Sequence, residues 1–283
     1  MAAKLRYFFV SFVLLSRKRR TFAPVMSTII YPSPIFGPVH SRRLGISLGI
    51  NLLPADGKVC SFDCIYCECG FNEDHRPKLP LPTREVVAEK LELKLQQMVA
   101  EGQLPDVPTF AGNGAPTCHP HFAEIIDDVI RLRDTYCPKA KVSVLSNSTM
   151  IHRQEVHDAL MRIDNNILKL DTVDPIYINK VDHPQGTYDV NAIIERLKAF
   201  HGHVIIQTMF MRGDCHGESV DNTSETFVAP WLEAVKEIRP QQVMIYTIDR
   251  ETPTQGLLKA THEQLDAIRD RVIAEGIPCT ASY

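Results

Sequence analysis

The sequence lacks several features that would place it in a particular class of protein. No run of 18 apolar residues occurs, so no segment is long enough for a membrane-spanning helix. There is one tryptophan, no pair of histidines four residues apart and no second pair of cysteines in the C-x2-C spacing, so the paired motifs of common zinc sites are missing. Basic residues are not in excess either, because 31 lysines and arginines stand against 34 aspartates and glutamates. A polyanion is therefore not expected as the main partner.

The first 25 residues differ from the rest of the chain. Residues 7–15 are mostly apolar and the basic run RKRR follows at 17–20, which reverses the charge order of a signal peptide. This segment holds six basic side chains and no acidic ones, so residues 26–283 carry 25 basic and 34 acidic side chains, a net charge of −9. Because Met26 opens a stretch that reads as a natural start, we predict that residues 1–25 are a non-native or disordered extension. Residues 26–283 are predicted to form the core domain.

Beyond Met26, strand-like runs rich in valine and isoleucine alternate with amphipathic helical stretches. Six strands are predicted, at 44–53, 107–112, 141–148, 166–171, 203–211 and 241–249. A helix is predicted after each, at 83–100, 121–136, 152–162, 189–200, 224–238 and 261–276. Strands joined by crossover helices form a parallel sheet. Six such units favour a partial (β/α)6 barrel of the TIM type, with a doubly wound sheet as the alternative. In both folds the chemistry belongs at the carboxyl ends of the strands.

Three of the eight cysteines are crowded into CSFDCIYC at residues 60–67, in the spacing C-x3-C-x2-C. This crowding is a poor disulfide framework and fits metal ligation in a reducing, cytoplasmic compartment better. Three thiolates can hold a [4Fe–4S] cluster, which usually takes four, and so leave one iron open for a small ligand. Two alternatives stay open here. One is a zinc site completed by Cys69 or His75, and the other is a chance grouping of buried thiols.

CSFDCIYC resembles the cluster motif of the radical S-adenosylmethionine (SAM) superfamily, C-x3-C-x-aromatic-C. The resemblance implies that Cys60, Cys64 and Cys67 hold a [4Fe–4S] cluster. It implies that the amino and carboxylate groups of SAM chelate the free iron and that Tyr66 lies near the adenine. It further implies that one electron from the reduced cluster splits SAM into methionine and a 5′-deoxyadenosyl radical, which abstracts hydrogen from a substrate. Such chemistry belongs to the cofactor, and the protein orients and shields it.

A finer resemblance joins the chain to the wyosine-synthetase-like subgroup of that superfamily. It rests on residues 35–54, on CSFDCIYCECG and on TFAGNGAPTCHP at 109–120, and it covers most of residues 34–283. Most members of the subgroup have no assigned substrate. The subgroup pattern GNGEPT reads GNGAPT here, so Ala115 stands where an acidic residue is usual. Because an alanine side chain accepts no hydrogen bond, we expect SAM binding to be weakened at this loop.

The resemblance also suggests cofactor contacts at the ends of several strands. Two glycines at and just after the end of the second predicted strand let the backbone approach a ligand closely. The predicted cofactor-binding set is Tyr66, Gly112, Asn113, Gly114, Ser146, Asn147 and Asp171. Lys169 and Gln207 are further candidates for the same cavity. The polar segment 212–225 is predicted to be a loop at its mouth, with Cys215 and His216 as weaker candidates.

The sequence therefore predicts a radical SAM enzyme that takes hydrogen from an unidentified small-molecule or peptide substrate. The implied cofactors are a [4Fe–4S] cluster and SAM, and the implied partner is a one-electron donor such as flavodoxin or ferredoxin. No catalytic side chain, membrane partner or nucleic acid is assigned. Two alternatives stay open: a non-catalytic, redox-sensing iron–sulfur protein, which Ala115 favours, and a radical SAM enzyme that modifies a tRNA base, which only the subgroup resemblance suggests.

Overall fold

The computed structural model describes residues 28–41 and 45–283 of the chain. The predicted extension at 1–25 lies outside these residues, as does the part of the subgroup stretch at 42–44. Within the described residues, no helix has both the length and the apolar character needed to span a membrane.

The described residues form eleven strands and seven α-helices. The strands are β1 (Ile35–Ser41), β2 (Gly45–Ile50), β3 (Val107–Phe110), β4 (Ser143–Ser146), β5 (Asn165–Lys169), β6 (Ile205–Met209), β7 (Met211–Cys215), β8 (Glu218–Ser219), β9 (Gln242–Tyr246), β10 (Leu257–Lys259) and β11 (Cys279–Ser282). The helices are α1 (Arg84–Ala100), α2 (Phe122–Tyr136), α3 (Gln154–Leu160), α4 (Pro175–Val181), α5 (Val190–Lys198), α6 (Glu225–Ile238) and α7 (His262–Ala274).

Eight of the strands form one sheet in the order β1-β2-β3-β4-β5-β6-β9-β11. β1 runs antiparallel to β2, and every other pair of neighbours is parallel. All six predicted strands and the six helices between and after them are present, so the predicted α/β class with a mostly parallel sheet is confirmed. The sheet also has a seventh parallel strand, β11, and the antiparallel edge strand β1, neither of which the sequence predicted.

The main core lies between the outer face of the sheet and the helices. Helix α1 shows how the sequence builds it, because Val87, Leu91, Leu95 and Met98 recur at helical spacing and are all buried. Trp231 of α6 is 1% exposed and packs in this core, where its indole N–H donates to the Leu170 carbonyl at 3.0 Å.

A separate small cluster occupies the inner face of the sheet. It consists of Ile167, Ile205 and Met244, with Leu145 packed against them. These side chains come from four adjacent parallel strands, and the sheet curves around them. They form an apolar layer inside the barrel, and the cavity described below extends from this layer toward the carboxyl ends of the strands.

The predicted loop at 212–225 is largely wrong. Its first half forms β7 and β8, which join β10 in a three-stranded antiparallel sheet. Met211, Cys215 and Val220 are buried in a second apolar cluster together with Ile65 and Tyr66 of the cysteine-rich segment. The segment looks polar in sequence because only one face of the small sheet is buried. His216 lies in the turn between β7 and β8 with φ of 54°.

Candidate functional site

A cavity of about 500 Å³ lies inside the curved sheet, toward the carboxyl ends of its strands. This volume lies within the range typical of small-molecule sites, ~300–1,000 Å³. Alternate residues of the strands face it, as expected for the inner side of a barrel. The residues of the parallel strands that line it are Ser47, Gly49, Thr109, Leu145, Ile167, Gln207, Met209, Met244, Tyr246 and Ser282, and the antiparallel strand β1 adds Phe36, Val39 and His40. One side of the cavity is formed by Tyr66, Cys67, Glu68 and Cys69.

The cysteine-rich loop that forms this side is held through its backbone. The end of α4 accepts two of its N–H groups, from Ile65 to the Val181 carbonyl and from Asp63 to the Asp182 carbonyl, each at 2.9 Å. On the other side of the loop, the Asn72 amide exchanges hydrogen bonds of 3.1 Å with the backbone of Cys60. The position of the first two cysteines is therefore set by segments far apart in sequence.

The thiols of Cys60, Cys64 and Cys67 lie close enough for their charges to interact. Burial is the main cause that raises the pKa of Cys60 to about 11 and the pKa of Cys64 well above its usual range. Hydrogen bonding with the Cys69 thiol, helped by the charge of Lys58, lowers the pKa of Cys67 to about 6. Cys67 is therefore the one of these three thiols that ionises most readily at neutral pH, and the thiolate is the form that binds metals.

Each of the three sulfurs has a polar donor beside it. The Asn147 side-chain amide donates to Cys60 Sγ at 3.5 Å, and the Lys169 ammonium donates to Cys64 Sγ at 3.1 Å. The Lys58 ammonium lies close enough to Cys67 for its positive charge to lower the pKa of that thiol. Donors of this kind around thiolate ligands are what iron–sulfur clusters use to stabilise and tune their charge. The residues present therefore fit an anionic iron–thiolate group.

No group of three or more His, Cys, Asp or Glu side chains among residues 28–41 and 45–283 is arranged to hold a single metal ion. A zinc ion with Zn–S bonds of ~2.3 Å needs such convergence. A four-iron cluster spreads its ligands over separate corners. All eight cysteines carry free thiols.

A buried network fixes Tyr66 in the cavity wall. Its hydroxyl donates to Asp171, and Asp171 also accepts the Met209 N–H at 3.0 Å. The Lys169 ammonium lies 3.2 Å from Asp171 and 2.5 Å from Asp182. Burial raises the pKa of Asp171 to about 6, against the pull of Lys169. The Tyr66 ring is thus held at a fixed place beside the cysteines.

The glycine-rich loop after β3 supports the cysteine loop from below. Gly112 has φ of 143° and lines the cavity. Gly114 has φ of 133°, and a Cβ there would lie 1.9 Å from the Val59 carbonyl oxygen. Asn113 accepts the Val59 N–H through its backbone at 2.9 Å. The loop therefore positions the residue directly before Cys60.

The predicted cofactor-binding residues fall into three groups. Tyr66 and Gly112 line the cavity. Asn147 and Asp171 stand behind it, in contact with Cys60 and Tyr66 respectively. The third group consists of Asn113, Gly114 and Ser146, which are not among the described residues that line the cavity.

Residues of the third group have structural partners instead. The Asn113 amide donates to the carbonyls of Tyr31 and Pro54 at 3.0 and 2.9 Å, which uses both of its N–H donors. The Ser146 hydroxyl pairs with Thr117 at 2.9 Å. Ala115, where the subgroup has an acid, is 3% exposed and is also outside the described cavity lining. Roles of these residues in SAM binding stay predictions.

Several residues of the site were not predicted from the sequence. Lys58 and Asp182 are buried charges whose partners become visible only in the fold. Arg250 donates to Glu68 at 2.7 Å and to the Tyr31 hydroxyl at 2.9 Å on the rim of the cavity. Tyr246 was within reach of sequence reasoning, because it lies two residues after Met244 on a predicted strand and so shares its face.

The curved parallel sheet encloses a cavity that Cys67 lines, and Cys60 and Cys64 lie beside Cys67 in the C-x3-C-x2-C segment. The sequence profile of the Radical SAM superfamily matches residues 56–221. This is more than half of the chain, and the chain belongs to that superfamily.

Two relatives show how far the similarity extends. The UPF0026 protein of Helicobacter pylori (strain ATCC 700392 / 26695) is 32% identical over 226 residues, 77% of this chain and 67% of its own length. The GTPase Obg of Brachyspira hyodysenteriae is 26% identical over 236 residues, 82% of this chain. This chain spans 32% of the length of that second relative.

Two solved structures share the fold. A radical SAM methyltransferase from Sphaerobacter thermophilus aligns over 84% of this chain and 66% of its own, with a TM-score of 0.61 and 13% identity. SuiB of Streptococcus suis, solved bound to S-adenosylmethionine, aligns over 81% of this chain and 49% of its own, with a TM-score of 0.58 and 14% identity. These likenesses establish the partial barrel architecture.

Proposed function

We propose that this protein is a radical SAM enzyme that cleaves SAM reductively and takes hydrogen from a substrate held in the barrel cavity. Cys60, Cys64 and Cys67 would hold its [4Fe–4S] cluster. The observation that carries the proposal is the set of polar groups at the three sulfurs. Asn147 donates to Cys60, Lys169 donates to Cys64, and the charge of Lys58 acts on Cys67. When bound, the cluster supplies the single electron that splits SAM.

The residues of this chain provide binding, orientation and shielding. Tyr66 and Gly112 offer a ring face and a bare stretch of backbone where a nucleoside can lie against the cavity wall. Below them, Leu145, Ile167 and Met244 form an apolar floor. A floor without polar groups keeps water away from the reacting atoms, which prevents side reactions of a radical.

The substrate is proposed to be a small molecule or a peptide side chain. The cavity walls are mostly apolar, with the amide of Gln207 as a polar group at mid-depth and the Arg250–Glu68 pair at the rim. A one-electron donor such as flavodoxin or ferredoxin and a cytoplasmic location complete the proposal. They follow from the redox chemistry and from the reducing conditions that free thiols need.

A tRNA base as the substrate is a second candidate from the wyosine-synthetase-like resemblance. That resemblance rests on the stretches at 35–54 and 109–120. The net charge of −9 over residues 26–283 disfavours a polyanionic partner, so we place this candidate below a small molecule or peptide.

The test is anaerobic reconstitution with iron and sulfide, followed by reduction in the presence of SAM. We expect a brown protein that absorbs at about 400 nm and forms 5′-deoxyadenosine. Cys64→Ala should lose both the colour and the cleavage, whereas Cys279→Ala, on β11, should keep both. A brown protein that never cleaves SAM would indicate a redox sensor instead, and a colourless protein that retains zinc would indicate a structural module.

The substrate can be sought with the same reduced enzyme. Incubation with a deuterated extract should transfer deuterium to 5′-deoxyadenosine from the molecule that loses hydrogen. Fractionation of the extract then identifies the donor. A fraction of small metabolites or peptides would support the proposed substrate class, and a tRNA fraction would favour the second candidate.

A further inference from the structure

We propose that Lys169 is a positioning residue that fixes Cys64 and couples it to Tyr66, and that its N–H···S bond raises the reduction potential of the bound cluster. This inference rests on the proposed function, because it assigns a role toward the same cluster. It concerns a side chain that the sequence suggested would face the cavity. The structure turns it toward the cysteine loop instead.

Each N–H donor of the Lys169 ammonium has an acceptor nearby. Its Nζ lies 3.1 Å from Cys64 Sγ, 2.5 Å from Asp182 Oδ1 and 3.2 Å from Asp171 Oδ2. An ammonium has three N–H donors, and three acceptors surround this one. The same nitrogen lies 4.8 Å from the centre of the Tyr66 ring, within the range of a cation–π contact.

Lys169 also joins three separate parts of the fold. It is the last residue of β5, and Asp182 directly follows α4. The end of α4 holds the cysteine loop through the two backbone hydrogen bonds described above. The path from Cys64 through Lys169 and Asp171 to the Tyr66 hydroxyl therefore links a cluster ligand to the wall of the cavity.

Charge explains why this position needs a cation. The side chains of Asp171 and Asp182 are 1% and 3% exposed and share this one ammonium, whose side chain is 12% exposed. Without it, two buried carboxylates would face each other next to a cysteine that must become a thiolate. A buried charge that loses its partner is strongly destabilising.

The expected effect on the cluster follows from the N–H···S bond. Hydrogen bonds and positive charge near a ligand sulfur stabilise the reduced, more negative state and so raise the reduction potential. After reconstitution, the Lys169→Met variant should bind iron at least ~10-fold more weakly than the wild-type protein, which is the usual effect of losing a contact to a metal ligand. Lys169→Arg keeps donors in place and should retain the cluster.

A charge-balanced variant separates positioning from simple neutralisation. Lys169→Met combined with Asp182→Asn removes one carboxylate together with the ammonium, so it should fold and hold the cluster. Its potential, measured by an EPR-monitored redox titration, should lie below the wild-type value. Lys180 lies on α4 and pairs with Glu218 of β8. Lys180→Met removes the same charge as Lys169→Met, so it is the matched control for that loss of charge and should keep the wild-type potential.

The outcomes distinguish this inference from the proposed function. An unchanged potential in the double variant, with an intact cluster in both proteins, would overturn the role of Lys169 and leave the function standing. A wild-type protein that binds no cluster would overturn the function itself. A lowered potential in the double variant, with Lys169→Arg near the wild-type value, is the result that supports the inference.

Discussion

At the scale of single residues, the site depends on how buried cations balance the charge of the cysteine sulfurs. The side chains of Lys58 and Lys169 are only 1% and 12% exposed. Lys58 donates to a carboxylate and a backbone carbonyl, and Lys169 donates to a cysteine and a carboxylate. Buried lysines are rare unless paired. Two of them beside three thiols therefore indicate that this region is built to hold negative charge.

Lys58→Met should test the first of these lysines. Its ammonium lies 3.1 Å from Asp63 and 2.5 Å from the Gly70 carbonyl, so its removal leaves a largely buried carboxylate without its cation. We expect the free energy of unfolding to fall by about 3 kcal/mol. Urea denaturation of the cluster-free protein measures it, with exposed Lys139→Met as the control. A loss below about 1 kcal/mol would mean that the pair contributes little.

Asp171 predicts a dependence of stability on pH. Burial raises its pKa to about 6 in the folded state, whereas an unfolded aspartate titrates at about 4. The folded state therefore binds the proton of Asp171 more tightly than the unfolded state does. The contribution of Asp171 to the free energy of unfolding is largest below about pH 4 and declines as the pH rises to about 6. The decline amounts to about 3 kcal/mol.

Asp171→Asn should remove this decline, since asparagine does not titrate. The measurement is urea unfolding of both proteins at several pH values from about 4 to about 7. Asp270→Asn on the surface is the control and should keep the wild-type slope. If Asp171→Asn and wild type show parallel curves, the carboxyl of Asp171 is not the group that titrates in this window.

At the scale of secondary-structure elements, short loops and one short helix place the cysteines. The end of α4 and the glycine-rich loop hold the cysteine segment from two sides through backbone hydrogen bonds. Backbone contacts of this kind depend on main-chain conformation more than on side-chain identity. The glycines are therefore the positions where a small substitution should have a large effect.

Gly114→Ala should displace the start of the cysteine loop. The added Cβ meets the Val59 carbonyl oxygen at 1.9 Å, and the φ of 133° is strained for alanine. We expect a loss of stability above ~2 kcal/mol and reduced iron binding after reconstitution. Gly186→Ala is the matched control, because a Cβ there has no neighbour within 4 Å among the described atoms. Equal iron content and stability in the two variants would contradict the role of the glycine-rich loop in positioning the cysteine loop.

The elements that the sequence predicted are those in which apolar residues recur at helix or strand spacing over several turns or positions. Helices α1 and α2 and the buried strands β3 to β6 fall within a few residues of their predicted bounds, because packing against the sheet imposes their pattern. Strand β11 has four residues with little strand character, and β1 contains Gly37 and Pro38, so local sequence argues against both. Pairing with a neighbouring strand overrides these local preferences.

At the scale of the whole molecule, the barrel brings the cysteine loop to the cavity at the carboxyl ends of the strands. The sequence was sufficient to predict the barrel class from its periodicity, and the resemblance of CSFDCIYC to a family motif was sufficient to propose three ligands. It could not show that Asp182 and Lys169 meet beside Cys64, because these contacts join segments distant in the chain. The same limit applies to Asn113, whose buried amide clamps the residues around Tyr31 and Pro54.

The most direct measurement is EPR of the reduced, reconstituted protein with and without SAM, together with the yield of 5′-deoxyadenosine. The three proposed protein ligands would leave one iron free for SAM, so adding SAM should change the EPR signal and be followed by cleavage. An EPR signal that SAM does not alter, with no 5′-deoxyadenosine formed, would contradict the account.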